Sequence, residues 1–200
     1  MLKIIIATSV LVAGVAGVWL GSQQATTAVM NVIDVSEKFE TLPGQWGYSD
    51  TIGSTEATAL ERARIAIGGP LGLAASETIY FLKNDDNEGA ALNSSCSYEV
   101  SGTDLDARWW SVTVYDGETL DYIKNEDNRS SWNSVALGRE EDGTWRFTIA
   151  PSRPATGQWL PSQAEPNQPI ELLLRLYNPS EETRAKAPNI ALPRVENTSC

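Results

Sequence analysis

Not one histidine occurs in the 200 residues. That absence removes Ser-His and Cys-His nucleophile pairs, histidine general bases and most zinc and iron sites. Any enzyme chemistry would fall to carboxylates, tyrosine, lysine or arginine. Positive charge is short as well: 15 basic residues stand against 26 acidic ones, a formal charge of −11. No basic patch stands out, and a duplex would repel such a chain, so no nucleic-acid partner is expected. Neither a Gly-x-Ser-x-Gly elbow nor a phosphate-cradling glycine loop is present, and no cofactor, metal or catalytic residue is assigned. Cysteine occurs twice, at Cys96 and Cys200, with no Cys-x-x-Cys spacing.

Uninterrupted apolar sequence is confined to the N-terminus. Lys3 precedes a run from Ile4 to Leu20, long for a signal-peptide core and just enough to span a bilayer. Residues 1–22 are therefore read as a membrane anchor or signal sequence, with Val15-Ala16-Gly17 as the rival cleavage site. The run continues past that site through Val18-Trp19-Leu20, which favours the anchor. Lys3 predicts a cytoplasmic N-terminus and an exported remainder. The expected location is the cell envelope, anchored in the inner (plasma) membrane with the domain on the periplasmic side. Residues 23–43 read as a spacer or extended arm, and residues 44–200 as one domain long enough for a real core.

Within that domain Ser54 or Thr55 can cap a helix with Glu56 in its first turn and Leu60, Ala63 and Ile67 on one stripe. Gly68-Gly69-Pro70 stops it, and a helical turn can follow at 74–77. From Thr78 the period becomes two, with strands at 78–82, 97–100, 108–115, 144–150 and 170–177. Arg108 to Tyr115, closed by Asp116-Gly117, is the organising strand. Trp110, Val112 and Val114 form its core face; Trp109, Ser111, Thr113 and Tyr115 form a semi-polar aromatic surface. Leu120 to Ile123 is expected to return beside it as a hairpin. Ile170 to Tyr177 is apolar on both faces and should be central. Residues 151–169 read as a long connection and 178–200 as a surface tail. The result is a mainly β protein, an antiparallel sandwich or barrel with one short helix.

The sequence resembles the domain of unknown function 1214 family from about Gly44 onward. The shared features are Gly44 with Trp46, Arg62-Ala63, Gly72-Leu73, Glu77 with Tyr80-Phe81, and Tyr98. Ala107-Arg108-Trp109-Trp110-Ser111 follows, with Thr113, Tyr115, Asn125, Arg129-Ser130, Trp159-Leu160-Pro161 and Leu174-Arg175-Leu176-Tyr177 with Pro179. Gln158 replaces the usual Asn, and Arg129-Ser130-Ser131 stands where Arg-Tyr-Ser is common. The resemblance implies a jelly-roll-like β-sandwich and a small membrane-anchored member, distinct from longer proteins that add a 1254 domain. It implies no established reaction.

The candidate ligand-binding residues are Arg108, Trp109, Tyr115, Arg129, Trp132, Trp159 and Arg175. Arginines beside apolar strands can grip a carboxylate or phosphate; their structural alternative is pairing with Asp106, Asp116 or Glu171. Trp109 and Trp132 can stack on sugars or apolar ligands, whereas Trp110 and Trp145 read as core. Asn84, Asp86 and Glu88 mimic a calcium loop but read as a plain turn. Asp104, Asp106, Asp116 and Glu118 bracket the organising strand, as turn residues or, alternatively, as a glycosidase-like pair. The expected function is non-catalytic binding of a small molecule, glycan or envelope protein. The alternatives are a carboxylate- or tyrosine-dependent enzyme acting on envelope glycans or lipids, and a purely structural envelope domain. On the exported side thiols are oxidised, and small anchored family members likewise have a late cysteine, so a Cys96–Cys200 disulfide is expected. Free thiols, an intermolecular bridge through Cys200 and thiol redox chemistry are the alternatives.

Overall fold

A computed structural model describes residues 39, 44–49, 51–68, 72–125, 127–162, 165–187 and 189–200. All belong to a compact unit spanning Val35–Cys200. The elements are β1 (Gly47–Ser49), α1 (Ala59–Gly68), β2 (Thr78–Lys83), β3 (Ser97–Gly102), β4 (Ala107–Asp116), β5 (Ser131–Asn133), β6 (Trp145–Ala150), β7 (Trp159–Pro161), β8 (Ile170–Pro179), α2 (Glu181–Lys186) and β9 (Arg194–Ser199). The anchor or signal segment expected at 1–22 and the spacer lie outside the described residues. Among the described residues no helix is long and apolar enough to cross a membrane.

The strands form two sheets, ordered β1-β2-β8-β4-β5 and β7-β6-β3-β9. All neighbours are antiparallel except β6 and β7. As its double-sided apolar sequence requires, β8 is central in the five-stranded sheet, between β2 and β4. Val112, Val114, Leu172 and Leu174 from this sheet meet Val100, Phe147, Ile149 and Val195 from the other in one core. Trp110 and Trp145 are both interior, their rings 5.0 Å apart.

Five sequence expectations are corrected. Helix α1 starts later than Ser54 or Thr55 implied, because Thr58 and Glu61 make a capping box: Glu61 N–H donates to Thr58 Oγ1 at 3.2 Å, and Thr58 N–H to Glu61 Oε2 at 2.7 Å. Ser54 caps a preceding turn instead, and Ile65 rather than exposed Ala63 packs inward. The hairpin at 120–123 reduces to one bridge between Tyr115 and Tyr122. Asp116 caps the turn through the N–H groups of Glu118 and Thr119, and Leu120 takes φ +59°, which directs the chain away. The 151–169 connection contains β7, and Trp132 lies in β5, half-buried, rather than in a polar loop.

The fifth correction concerns the C-terminal segment, which is structured. Ser180 accepts the Thr183 N–H and caps α2. Strand β9 pairs with β3 and plugs fully buried Val195 into the core. Cys96 and Cys200 form the expected disulfide, with Cα atoms 4.2 Å apart.

Candidate functional site

Side-chain alternation on β4 and β8 sends Trp109, Ser111, Thr113 and Tyr115, with Glu171, Leu173, Arg175 and Tyr177, to the sheet face opposite the core. β2 adds Thr78, Tyr80 and Leu82 to that face. It was expected to be a semi-polar surface, but Ser111, Thr113 and Tyr115 are buried. The segment before β2 covers part of this face: Ile52 and Phe39, with half-buried Ile65, pack on Tyr80, Leu82, Tyr115 and Leu173. The cover is tied down where Leu73 N–H donates to Tyr80 Oη at 2.8 Å.

Arg175 sits in the middle of this covered layer, opposite Ser111 on one side and Tyr80 on the other. It is only 7% exposed. Its Nη1 donates to Thr113 Oγ1 at 3.0 Å and its Nη2 to Tyr115 Oη at 2.6 Å. The guanidinium also lies 5.6 Å from the Tyr115 ring centre. Both hydrogen-bond acceptors are neutral, and none of the ion pairs among the described residues includes Arg175. A guanidinium carries five N–H donors, so three have no described acceptor. Burying a charge this way is costly unless something compensates it.

The flanking tyrosines are held as phenols. Burial pushes Tyr115 up to about 12, against the opposing charge and hydrogen bond of Arg175. Burial also raises Tyr80, opposed by the Leu73 N–H and the Arg175 charge. At neutral pH both are proton donors rather than bases. Tyr115 stacks on Tyr122 with centroids 5.1 Å apart, and Tyr122 is 59% exposed. Trp109 and Tyr177 make a tilted pair at 4.8 Å, both half-buried, one row from Arg175 on the same face.

The seven residues singled out in the sequence thus divide. Trp109, Tyr115 and Arg175 share the covered face. Arg129, Trp132 and Trp159 belong to a second set: Arg129 lies 4.1 Å over the Trp132 ring and Arg153 4.9 Å over Trp159. Asp127, two residues before Arg129, pairs with Arg153. The Trp159 indole donates to the Ala150 carbonyl at 3.0 Å, whereas the buried Trp132 indole nitrogen has no acceptor. Arg108 is exposed and by alternation shares Trp110's side of β4, so the sheet separates it from Arg175.

Of the expected acidic partners, Glu171 is buried opposite Tyr115 on the face that holds Arg175, and the other two are used elsewhere. Asp106 accepts from the Ser180 and Thr183 hydroxyls, Asp116 caps its turn and Asp104 pairs with Arg139. Lys83, Tyr80 and Tyr177 were not among the expected site residues, because only strand register shows what they face. Asp86 Oδ1 caps its own turn through the N–H groups of Glu88 and Ala90, while the Lys83 ammonium donates to the Asp86 carbonyl. Among the described residues no cluster of metal-ligating side chains occurs. A cleft of about 450 Å³ opens in the cover, lined by Gly53, Ser54, Thr55, Ala57, Arg62, Ile65, Ala66 and Gly72. Arg62 spends its donors there on the Thr55 and Ala57 carbonyls.

A profile for proteins of unknown function (DUF1214) matches residues 77–181, from just before β2 to the start of α2. The chain belongs to the DUF1214 family. The matched span holds β2, β4 and β8, and with them Arg175, Thr113, Tyr115 and Tyr80. No curated protein matches the chain. The crystal structure of the VPA0106 protein from Vibrio parahaemolyticus is similar at a TM-score of 0.56 and 22% identity, covering 71% of this chain and 36% of that one. That likeness is one of fold. An uncharacterised protein from Burkholderia cenocepacia matches at a TM-score of 0.43 and 15% identity, over 86% of this chain and 39% of that one. This DUF1214 chain therefore spans little more than a third of the length of the solved proteins it resembles.

Proposed function

We propose that this chain is an exported, membrane-anchored binding domain that takes a small molecule on the covered face of its five-stranded sheet and performs no chemistry on it. The observation that carries the reading is Arg175, an enclosed guanidinium whose acceptors among the described residues are both neutral. The disulfide supports export, because such bonds persist in oxidising compartments. The apolar run from Ile4 to Leu20 supports an anchor that leaves the domain on the periplasmic side. A jelly-roll-like wrapping of the sandwich is part of the same reading. It is supported by consecutive strands that change sheets between β2, β3 and β4 and again between β8 and β9.

The enzyme alternative calls for a carboxyl group of raised pKa near Arg108, Tyr115 or Arg175. Glu171, buried opposite Tyr115, is the carboxyl placed on this face. Among the described residues the carboxylates with clear shifts, Asp106 and Asp142, lie elsewhere and move down, held by hydroxyl and backbone hydrogen bonds. Both tyrosines of the site move up, which suits them to donating hydrogen bonds. A thermal-shift screen of the full chain in neutral detergent against sugars, lipids and small anions tests the proposal. A hit whose shift disappears in Arg175→Gln supports it. An empty screen with every class, or hits indifferent to Arg175, would overturn it.

A further inference from the structure

Resting on the binding reading above, we infer that the group this site recognises is a single carboxylate carried on an apolar or aromatic body, seated on the free edge of the Arg175 guanidinium. Three observations lead there. First, Thr113 and Tyr115 hold two of the five guanidinium N–H groups and so fix the plane of the fork. Among the described residues the remaining donors have no acceptor, in a layer where Arg175 is 7% exposed. A planar fork with an open edge matches a carboxylate in geometry as well as in charge.

Second, the charge of the layer suits a monoanion. Arg175 is the one cation that the strand register puts on this face among the described residues, and Glu171 lies on the same face. A carboxylate balances one guanidinium. A phosphate monoester carries nearly two negative charges at neutral pH and would leave one uncompensated. Hydroxyls supply the rest: Tyr80, opposite Arg175, accepts from Leu73 and keeps its own proton to donate.

Third, the neighbouring row is aromatic and open. Trp109 and Tyr177 pair at 4.8 Å and are half-buried, one row (about 7 Å) along the face from Arg175. The Thr78 hydroxyl is in that row too, and it is buried. Along the face the order is two aromatic rings and then the guanidinium. That order fits an apolar body with an acid at its leading end.

The test uses matched probes on the full chain in neutral detergent: phenylacetate and octanoate, their primary amides, and phenyl phosphate. Calorimetric titration should show the two acids binding, with each amide and the phosphate at least about tenfold weaker. Arg175→Gln should lower acid affinity on the order of 100-fold. Because that variant can misfold, Thr113→Val provides a second reading. It removes one anchor of the fork at nearly constant volume and should weaken acids by roughly tenfold, leaving the far-ultraviolet spectrum unchanged. Amides or phosphate binding as well as the acids would overturn the carboxylate assignment and leave the binding reading standing. If neither these probes nor the wider screen bind, both fall.

Discussion

Lys83 is fully enclosed, and its Nζ donates to Asp85 Oδ1 at 3.2 Å and to the Asp86 carbonyl at 3.4 Å. Burial pulls its pKa down, and Asp85 opposes the shift. Arg175, the other buried cation of the five-stranded sheet, has hydroxyl acceptors in place of a carboxylate. The two should respond differently to neutralisation. Lys83→Met removes one partner of an ion pair and is expected to cost roughly 2–4 kcal/mol in urea unfolding, with part of that regained in Lys83→Met/Asp85→Asn. Tyr115 has a sharper signature. Its folded pKa, about 12, lies above the ordinary value of 10.0, so the folded state holds a proton that the unfolded chain has released. The stability linked to it is complete below pH 10 and is lost as pH rises toward 12. Tyr115→Phe should flatten that alkaline loss relative to the wild type in denaturant titrations at pH 9, 10 and 11.

At the scale of elements, α2 and β9 show how a stretch with little periodicity becomes ordered. The α2 N-terminus is held by Ser180 and by Asp106, which reaches the Ser180 and Thr183 hydroxyls from just before β4. Those hydroxyls lower the Asp106 pKa, so its contribution is present above the ordinary carboxylate range and fades as pH falls through the folded value. Asp106→Asn should therefore destabilise the protein at pH 7 and narrow its difference from wild type as pH falls below the ordinary carboxylate range. β9 is fastened at both ends. Val195 exchanges hydrogen bonds with Asn87 near its start, and Cys200 closes a 104-residue separation to Cys96 just past its end. In the chain-entropy picture a loop of that size contributes about 4–5 kcal/mol. The Cys96→Ser/Cys200→Ser variant should lose close to that amount in guanidinium unfolding. Adding reductant should lower the wild-type melting temperature and leave the variant unchanged.

For the whole molecule, the bond between the sheets is aromatic. Trp145 is fully buried, touches Trp110 across the sandwich and donates its indole N–H to the Thr103 carbonyl at 2.8 Å. Gly102 allows this packing, since a Cβ there would lie 2.9 Å from the Trp145 ring. Trp145→Ala removes a core aromatic and a hydrogen bond together and should cost about 3–5 kcal/mol. If the two sheets unfold as one unit, tryptophan fluorescence and far-ultraviolet dichroism will report the same transition in wild type. Separate transitions would show that the sheets come apart independently.

Much of this architecture was legible in the residue pattern, because alternation along a strand is a local property. It put Trp110, Val112 and Val114 on one face and Thr113 with Tyr115 on the other, and it marked Ile170–Tyr177 as central. The cysteine pair followed from the expected export of the domain and from the resemblance to family members with a late cysteine. What faces what across strands was decided only by the tertiary structure. Tyr80 meets Arg175 through the register of β2 on β8, a pairing between residues 95 positions apart that no spacing encodes. The cover over Tyr115 comes from a segment some fifty or more residues upstream, so its burial was invisible in the sequence of β4. Helix α2 and strand β9 are likewise weak in their own sequences. They form because Asp106, Asn87 and Cys96, all distant in the chain, supply the hydrogen bonds and the covalent link that local propensity does not.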